Sequence, residues 1–332
     1  GEQITVRVAI SPVSTAGAMA NLVAEAPVAD FDAIRRRAEE LWRAELGKVR
    51  VKMMNEGQMT SFYTSLYHAF LSPTVYTDTD GSYRGLDQNI HRAEGFTNYT
   101  TFSLWDTYRA LHPLFTIVQQ QRTADMINSM LAHYDQSVHH MLPVWSHHAN
   151  ENWCMIGYHA VPVIADAIVK KIGGFDYARA VDACVTTARN GWYDGLDDYM
   201  KLGYVPDERT GSSVSVTLEY AYDDWCIAQI AGNEDLKREF AERSRNYLNV
   251  WDPSSGFMRP RKADGTFRQE FDVLSTHGQG FIEGNSWNYS LYVPHDPAEL
   301  IRLHGGKKRF TEHLDSLFTM YLPDSFFAGT ED

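Results

Sequence analysis

Between residues 104 and 250 one helical pattern follows another, in consecutive pairs separated by short breaks, and this restricts the fold more than any other feature. "SLWDTYRALHPLFTIV" places Leu104, Trp105, Tyr108, Leu111 and Phe115 at helical spacing, with Pro113 predicting a kink, and "TADMINSMLAHYDQ" returns. "HAVPVIADAIVKKIGG" carries Val161, Ile164, Ala165, Ile168, Val169 and Ile172 on one face and stops at Gly173-Gly174, after which "DYARAVDACVTTAR" returns from an Asp176 cap. "TLEYAYDDWCIAQIAG" sets Leu218, Tyr222, Trp225 and Ala228 on a stripe, and "EDLKREFAERSRNYLNVW" returns with Leu236, Phe240, Ser244 and Tyr247. An apolar stripe has to be buried against a neighbour. Pairs at this interval, too varied for a solenoid repeat, predict a mainly α fold of the (α/α)6 toroid type, with inner helices around a cavity and outer helices shielding them. A plain helical bundle is the alternative.

The ends differ from this middle. Ile4, Val6, Val8 and Ile10 alternate with polar residues, which predicts a strand that needs a sheet to join. "DFDAIRRRAEELWRAELG" predicts a helix with Phe31, Ile34, Ala38, Leu41 and Trp42 on one face, Asp30 or Asp32 as cap and Gly47 as stop; its Arg35-Arg36-Arg37 run reads as a solvated face. A short alternating piece, "KVRVKM", follows, and a hairpin is expected around Asp80-Gly81.

Composition removes several functions. A chain of 332 residues can bury a sizeable core, so size is no obstacle to catalysis. A net charge of -13 argues against nucleic acid, whose binders need a basic stripe to release counterions. No apolar run approaches the length that spans a bilayer. Cys154, Cys184 and Cys226 have no metal or disulfide spacing and read as small buried apolar residues. The 8 Trp, 18 Tyr and 16 Phe serve mainly the core, but flat rings also stack on the apolar faces of sugars.

In a toroid the site is built by the long loops at one end. "HHMLPVWSHHANENWCMIGY" concentrates His147, His148, Asn150, Glu151, Asn152 and Trp153, and "WDPSSGFMRPRKADG" brings Phe257, Arg259 and Arg261. The third, "HGQGFIEGNSWNYSLYVPHD", sets one carboxylate, Glu283, among glycines and aromatics. Glu283 is read either as an acid packed beside Phe281 and Trp287, poorly hydrated and so holding its proton, or as the cap of a helix beginning near Ser286. Gly284 would let the backbone come close to a substrate. Asp106 and Arg109, one helical turn apart, form either a sugar-hydroxyl acceptor with its orienting partner or an ordinary ion pair. Glu219 and Asp223, a like-charge pair at i and i+4, face either a wet cavity or solvent. The His139-His140 and His147-His148 doublets lack zinc spacing such as HExxH and read as polar loop lining.

Together "TFSLWDTYRALHPLFTIV", "VWSHHANENWCMIGYHAVPVIADA", "TLEYAYDDWCIAQIA", "NVWDPSSGFMRPR" and "FIEGNSWNYSLYVPHD" resemble the catalytic domain of glycoside hydrolase family 92, the calcium-dependent exo-acting α-mannosidases. The opening "ISPVSTAGAMANLVAEAP" resembles the junction after that family's N-terminal β-sandwich. The resemblance implies that residues 1–20 are the last strand of a β-sandwich and a linker, and that residues 21–332 are an (α/α)6 catalytic domain, incomplete at its C-terminal side. It also implies hydrolysis of terminal α-mannosides on mannose-containing glycans, such as N-glycans or yeast mannan, with inversion at the anomeric carbon.

By resemblance Glu283 is the general acid, and Trp105, Asp106, Arg109, Glu151, Trp153, Glu219 and Trp287 are substrate-binding residues, with Asp106 in the cleavage subsite. An inverting glycosidase also needs a second carboxylate roughly 6.5–9.5 Å from the first. In the family that base and most calcium ligands lie on Gly-Asn-Glu-Pro and Gly-Asn-Asp stretches that the sequence ending "DSFFAGTED" does not include. Calcium is therefore expected as cofactor with ligands mostly outside this chain, the partner being the remainder of the same polypeptide. A catalytically silent carbohydrate-binding fragment is the alternative. The family implies a secreted, periplasmic or cell-surface protein of a bacterium.

Overall fold

The computed structural model describes residues 4–28, 30–276 and 278–321; His277 and the tail from residue 322 lie outside the described residues. The described chain is mainly helical, with small two- and three-stranded antiparallel sheets between helices. It divides into two compact units, one of residues 1–190 with 226–241 and one of residues 191–225 with 242–332.

Helix boundaries follow local chemistry. Asp30 caps Phe31–Leu46 by accepting from the Ala33 N–H, and Asp176 caps Tyr177–Thr187 by accepting from the Arg179 N–H. In each case a short carboxylate satisfies a backbone donor that the first turn leaves open. The Arg35 face is solvated as expected, with Arg35 paired to Asp32 and Glu39. In the first unit Leu111–Val118, Gln120–Gln136, Ala160–Val169 and Tyr177–Thr187 pack on one another in succession, burying Ile127, Met130, Leu131, Val161 and Ile164 completely.

Pro113 acts differently from the expected kink. The helix is broken before it: Leu104–Thr107 ends, Ala110 takes φ −146°, and Leu111–Val118 begins with Pro113 in its first turn. There a missing N–H costs nothing, and the break removes the ring's clash with the carbonyl four residues earlier, that of Arg109.

Several expectations fail where a pattern lacked a partner. Residues 4–10 form no strand, and Ile4, Val6, Val8 and Ile10 are all exposed. "KVRVKM" is likewise irregular. Asp80-Gly81 makes a tight turn closed by the Gly81 N–H on the Asp78 carbonyl, but the hairpin proper, Ser82–Arg84 with Ile90–Arg92, turns at residues 85–89. Cys154 is exposed, whereas Cys184 and Cys226 are buried.

His112 illustrates what the core demands of a titratable group. It sits fully buried in Leu111–Val118 with neither ring nitrogen hydrogen-bonded, and burial pushes its pKa down to about 4. An unfolded imidazole titrates near 6.5, so the unfolded chain binds the extra proton between about pH 6.5 and 4. Stability carried by His112 is therefore complete above about pH 6.5 and lost as pH falls, at up to ~1.4 kcal/mol per pH unit. Urea unfolding at pH 7.5, 6 and 5 should show the loss, and His112→Leu should remove His112's share of it, about one proton, with the share of buried His133 remaining. An unchanged slope in His112→Leu would place the proton uptake elsewhere.

Candidate active site

In the first unit a three-stranded sheet gathers the candidates. Phe102–Ser103 pairs with Trp145–His147, which pairs with Asn150–Glu151. Because the first strand runs directly into Leu104–Thr107, Trp105, Asp106 and Arg109 are set beside the loop that carries Glu151 and Trp153. Arg109 donates from Nε to the Trp105 carbonyl (3.1 Å), and its guanidinium lies 4.7 Å from both the Trp105 and Tyr108 ring centres. Tyr108 in turn stacks on buried His159 at 4.2 Å. Cation–π contact with two rings orients the guanidinium. Asp106 is exposed on the same turn. The carboxylate is thus accessible to a ligand hydroxyl.

Glu151 does something else. Its side chain is buried, with Oε1 accepting from the Trp145 and Trp153 N–H groups (2.8 and 3.0 Å) and Oε2 from Val144 N–H (2.9 Å). Burial pushes the carboxyl pKa up, and these backbone donors oppose the rise. His133 Nε2 lies 3.5 Å away, and burial takes that imidazole down to about 3, so it stays neutral. The bonds hold an unusual loop: His148, Ala149, Trp153 and Met155 all adopt left-handed φ between 44° and 66°. Such strain persists only where the surroundings over-determine it. Glu151 is therefore the pin of this loop, its oxygens committed to backbone donors. Trp153, half-buried, sets its ring edge-on to His139 at 5.8 Å.

In the second unit the helix Ser213–Ile230 carries Glu219, Asp223 and Asp224, all fully buried. Solvent exposure of the Glu219 and Asp223 pair is overturned: this helix is buried almost all round, so its carboxylates have no water-facing side. Asp224 accepts from Tyr199 Oη and Arg243 Nε, both at 2.9 Å. Sequence reasoning passed over Asp224, although a third acid beside a buried i, i+4 pair is itself a sign of interior polar packing.

Glu283 lies next to the start of that helix. The Gly280 carbonyl accepts from Val214 and Ser215 N–H, and the Ile282 N–H donates to Ser215 Oγ (3.2 Å). Gly280 has to be glycine: its φ is +91°, and a Cβ would meet Pro260 Cγ at 2.6 Å. Phe281 is buried in the unit's core with Val214, Leu218 and Tyr289. The Glu283 carboxylate itself is exposed, on a backbone at φ +45°. The expectation of a poorly hydrated carboxyl is not met, since the residue is exposed. Nor does it cap the helix Ser286–Tyr289, for Asn285 does so in a reciprocal box with Asn288. Gly284 approaches protein rather than opening toward a ligand, since a Cβ there would meet Asn288 Nδ2 at 2.7 Å. Trp287 stacks flat on His313 (4.6 Å, 9°) and meets Phe257 edge-on, so one indole face is already covered.

The chain as a whole is similar to known proteins. The chain is 50% identical to a family GH92 α-mannosidase from Bacteroides thetaiotaomicron, whose solved structure it matches over 95% of its length with a TM-score of 0.90. It is 34% identical to a family GH92 inverting mannosidase from Bacteroides thetaiotaomicron VPI-5482, with a TM-score of 0.86 over 92% of the chain. An uncharacterized secreted glycosidase from Arthroderma benhamiae is 26% identical across 99% of the chain. The chain spans 42–43% of the length of these relatives. Residues 17–329 match the glycosyl hydrolase family 92 catalytic domain, and the chain belongs to that family.

Proposed function

We propose that this chain supplies the general acid and part of the substrate-binding surface of a secreted exo-α-mannosidase, which hydrolyses terminal α-mannosides with inversion inside an (α/α)6 toroid. The observation that carries the reading is Glu283. It is a non-glycine residue at left-handed φ, anchored on both sides by backbone hydrogen bonds and presenting an exposed carboxyl. Backbone strain of this kind costs about 1–3 kcal/mol and concentrates at sites that need a side chain aimed away from the fold. One related structure is named an α-mannosidase and another an inverting mannosidase, which supports the substrate class.

In this reading Glu283 gives its proton to the departing glycosidic oxygen. Asp106 accepts hydrogen bonds from vicinal sugar hydroxyls, and Trp105, fixed by Arg109, offers a flat apolar surface. Trp287 remains in the proposed substrate-binding set, Glu151 and Trp153 contribute by shaping the loop, and Glu219, fully buried, would act from behind the surface rather than by contact with the sugar. A water attacks from the opposite face, activated by a second carboxylate of the whole enzyme. Among the described residues no group of three or more His, Cys, Asp or Glu is arranged to hold a metal ion. Calcium is proposed for the whole enzyme, with its ligands mostly outside this chain.

Proton NMR of the full-length polypeptide acting on a terminal α-mannoside should show β-mannose as the first product, before mutarotation. Initial α-mannose would overturn inversion. Failure to release mannose would leave a carbohydrate-binding protein.

A further inference from the structure

We propose that Arg268 and Asp207 form a clamp that positions the general acid, a role that rests on the assignment of Glu283 above. The Arg268 guanidinium makes two parallel bonds to Asp207, Nε to Oδ2 at 2.8 Å and Nη2 to Oδ1 at 2.6 Å. The remaining nitrogen, Nη1, donates to the Gly278 carbonyl at 2.5 Å. Gly278 lies five residues before Glu283 and, like Gly280 and Glu283, has left-handed φ (58°, 91° and 45°).

Three anchors thus follow one another along the acid segment. Arg268 holds residue 278, the start of the helix Ser213–Ile230 holds residue 280, and Ser215 holds residue 282. The first anchor alone is made by a charged side chain. Asp207 fixes the guanidinium plane and is itself fixed, its N–H donating to the Arg261 carbonyl at 2.8 Å. Arg268 is also tied through its own backbone, N–H to the Pro260 carbonyl at 2.9 Å. Pro260 is the residue whose ring a Cβ on Gly280 would strike, so clamp and acid segment come together at the same point.

The geometry explains why arginine occupies the position. A planar fork binds a carboxylate with two nitrogens and still aims a third at a carbonyl, whereas an ammonium offers one point charge. Asp207 is nearly buried and Arg268 mostly so, which shields the two-bond pair from water, while the bond to Gly278 lies at the surface. A chain segment whose backbone prefers to relax from left-handed φ needs such an anchor, because displacement of a catalytic group by about 1 Å costs on the order of 100-fold in rate.

The test uses the full-length enzyme and two substrates, an unactivated α-mannobioside that needs acid assistance and a dinitrophenyl α-mannoside whose leaving group departs without it. Arg268→Met, and with it Arg268→Lys and Asp207→Asn, should lower kcat on the mannobioside about 10- to 100-fold with KM little changed. Turnover of the dinitrophenyl substrate should stay within about threefold. In a Glu283→Gln background Arg268→Met should add nothing on the mannobioside, since there is no proton left to position. Equal losses on both substrates, or an unchanged mannobioside kcat in the folded variants, would overturn the clamp. A Glu283→Gln enzyme that keeps full mannobioside turnover would instead overturn the acid assignment itself.

Discussion

Glu283→Gln should lower turnover of an unactivated α-mannobioside by about 10²- to 10⁴-fold while changing turnover of dinitrophenyl α-mannoside only a few-fold. Glutamine keeps the size of the side chain, and an exposed position on an externally anchored turn gives the fold no reason to notice the exchange. What it cannot do is give up a proton. A sugar alkoxide is a poor leaving group and needs that proton in the transition state, whereas dinitrophenolate leaves as a stable anion. The contrast between substrates is therefore more informative than either rate. Parallel losses on both would show that the residue acts in binding or folding, and no loss on the mannobioside would remove Glu283 from the chemistry.

Arg243→Met should cost about 3–5 kcal/mol of stability, read as a lowered urea midpoint. Asp224 is fully buried, and Arg243 supplies the positive charge 2.9 Å from its Oδ2, with Tyr199 donating to the same oxygen. Removing the guanidinium strands a carboxylate in the interior with less than its hydrogen-bond complement. Asp224→Asn, which removes the charge instead, should cost less because the remaining groups are neutral or partly accessible. A loss below about 1 kcal/mol in Arg243→Met would mean the pair behaves like an exposed one.

How far the sequence could be read depended on whether each feature was local. Asp30 and Asp176 cap the helices they were expected to cap, and Gly47 follows Leu46 as the stop, because a cap concerns a side chain and a backbone donor three residues away. The strand expected at residues 4–10 has no such local closure. Alternation makes a strand only when another strand accepts its hydrogen bonds, and these residues instead remain irregular and exposed.

Site residues divide in the same way. The linear order of "WDTYR", the Glu151 loop and the Glu283 segment carried the resemblance to family 92, and the match over residues 17–329 agrees with it. The individual surroundings were not legible. Glu151 reads in one dimension as another polar residue of a loop, but its two oxygens are occupied by three backbone N–H groups that only the folded hairpin brings together. Glu283 reads as a carboxyl packed among aromatics, but the residue is exposed, at left-handed φ, while Phe281, two residues earlier, lies in the core.

By itself the sequence determined the helix pairs, their caps and the family, since periodicity, capping and the order of motifs are carried by near neighbours along the chain. Only the tertiary structure decided which carboxylates are spent on the fold and which stand open to a ligand. Glu219, Asp223 and Asp224 lie within a helix buried almost all round, Asp106 and Glu283 are exposed, and Arg268 reaches across to hold Gly278. The physical reason is that desolvation and hydrogen-bond partners for a charged group come from segments tens of residues away, and no local pattern records where those segments will lie.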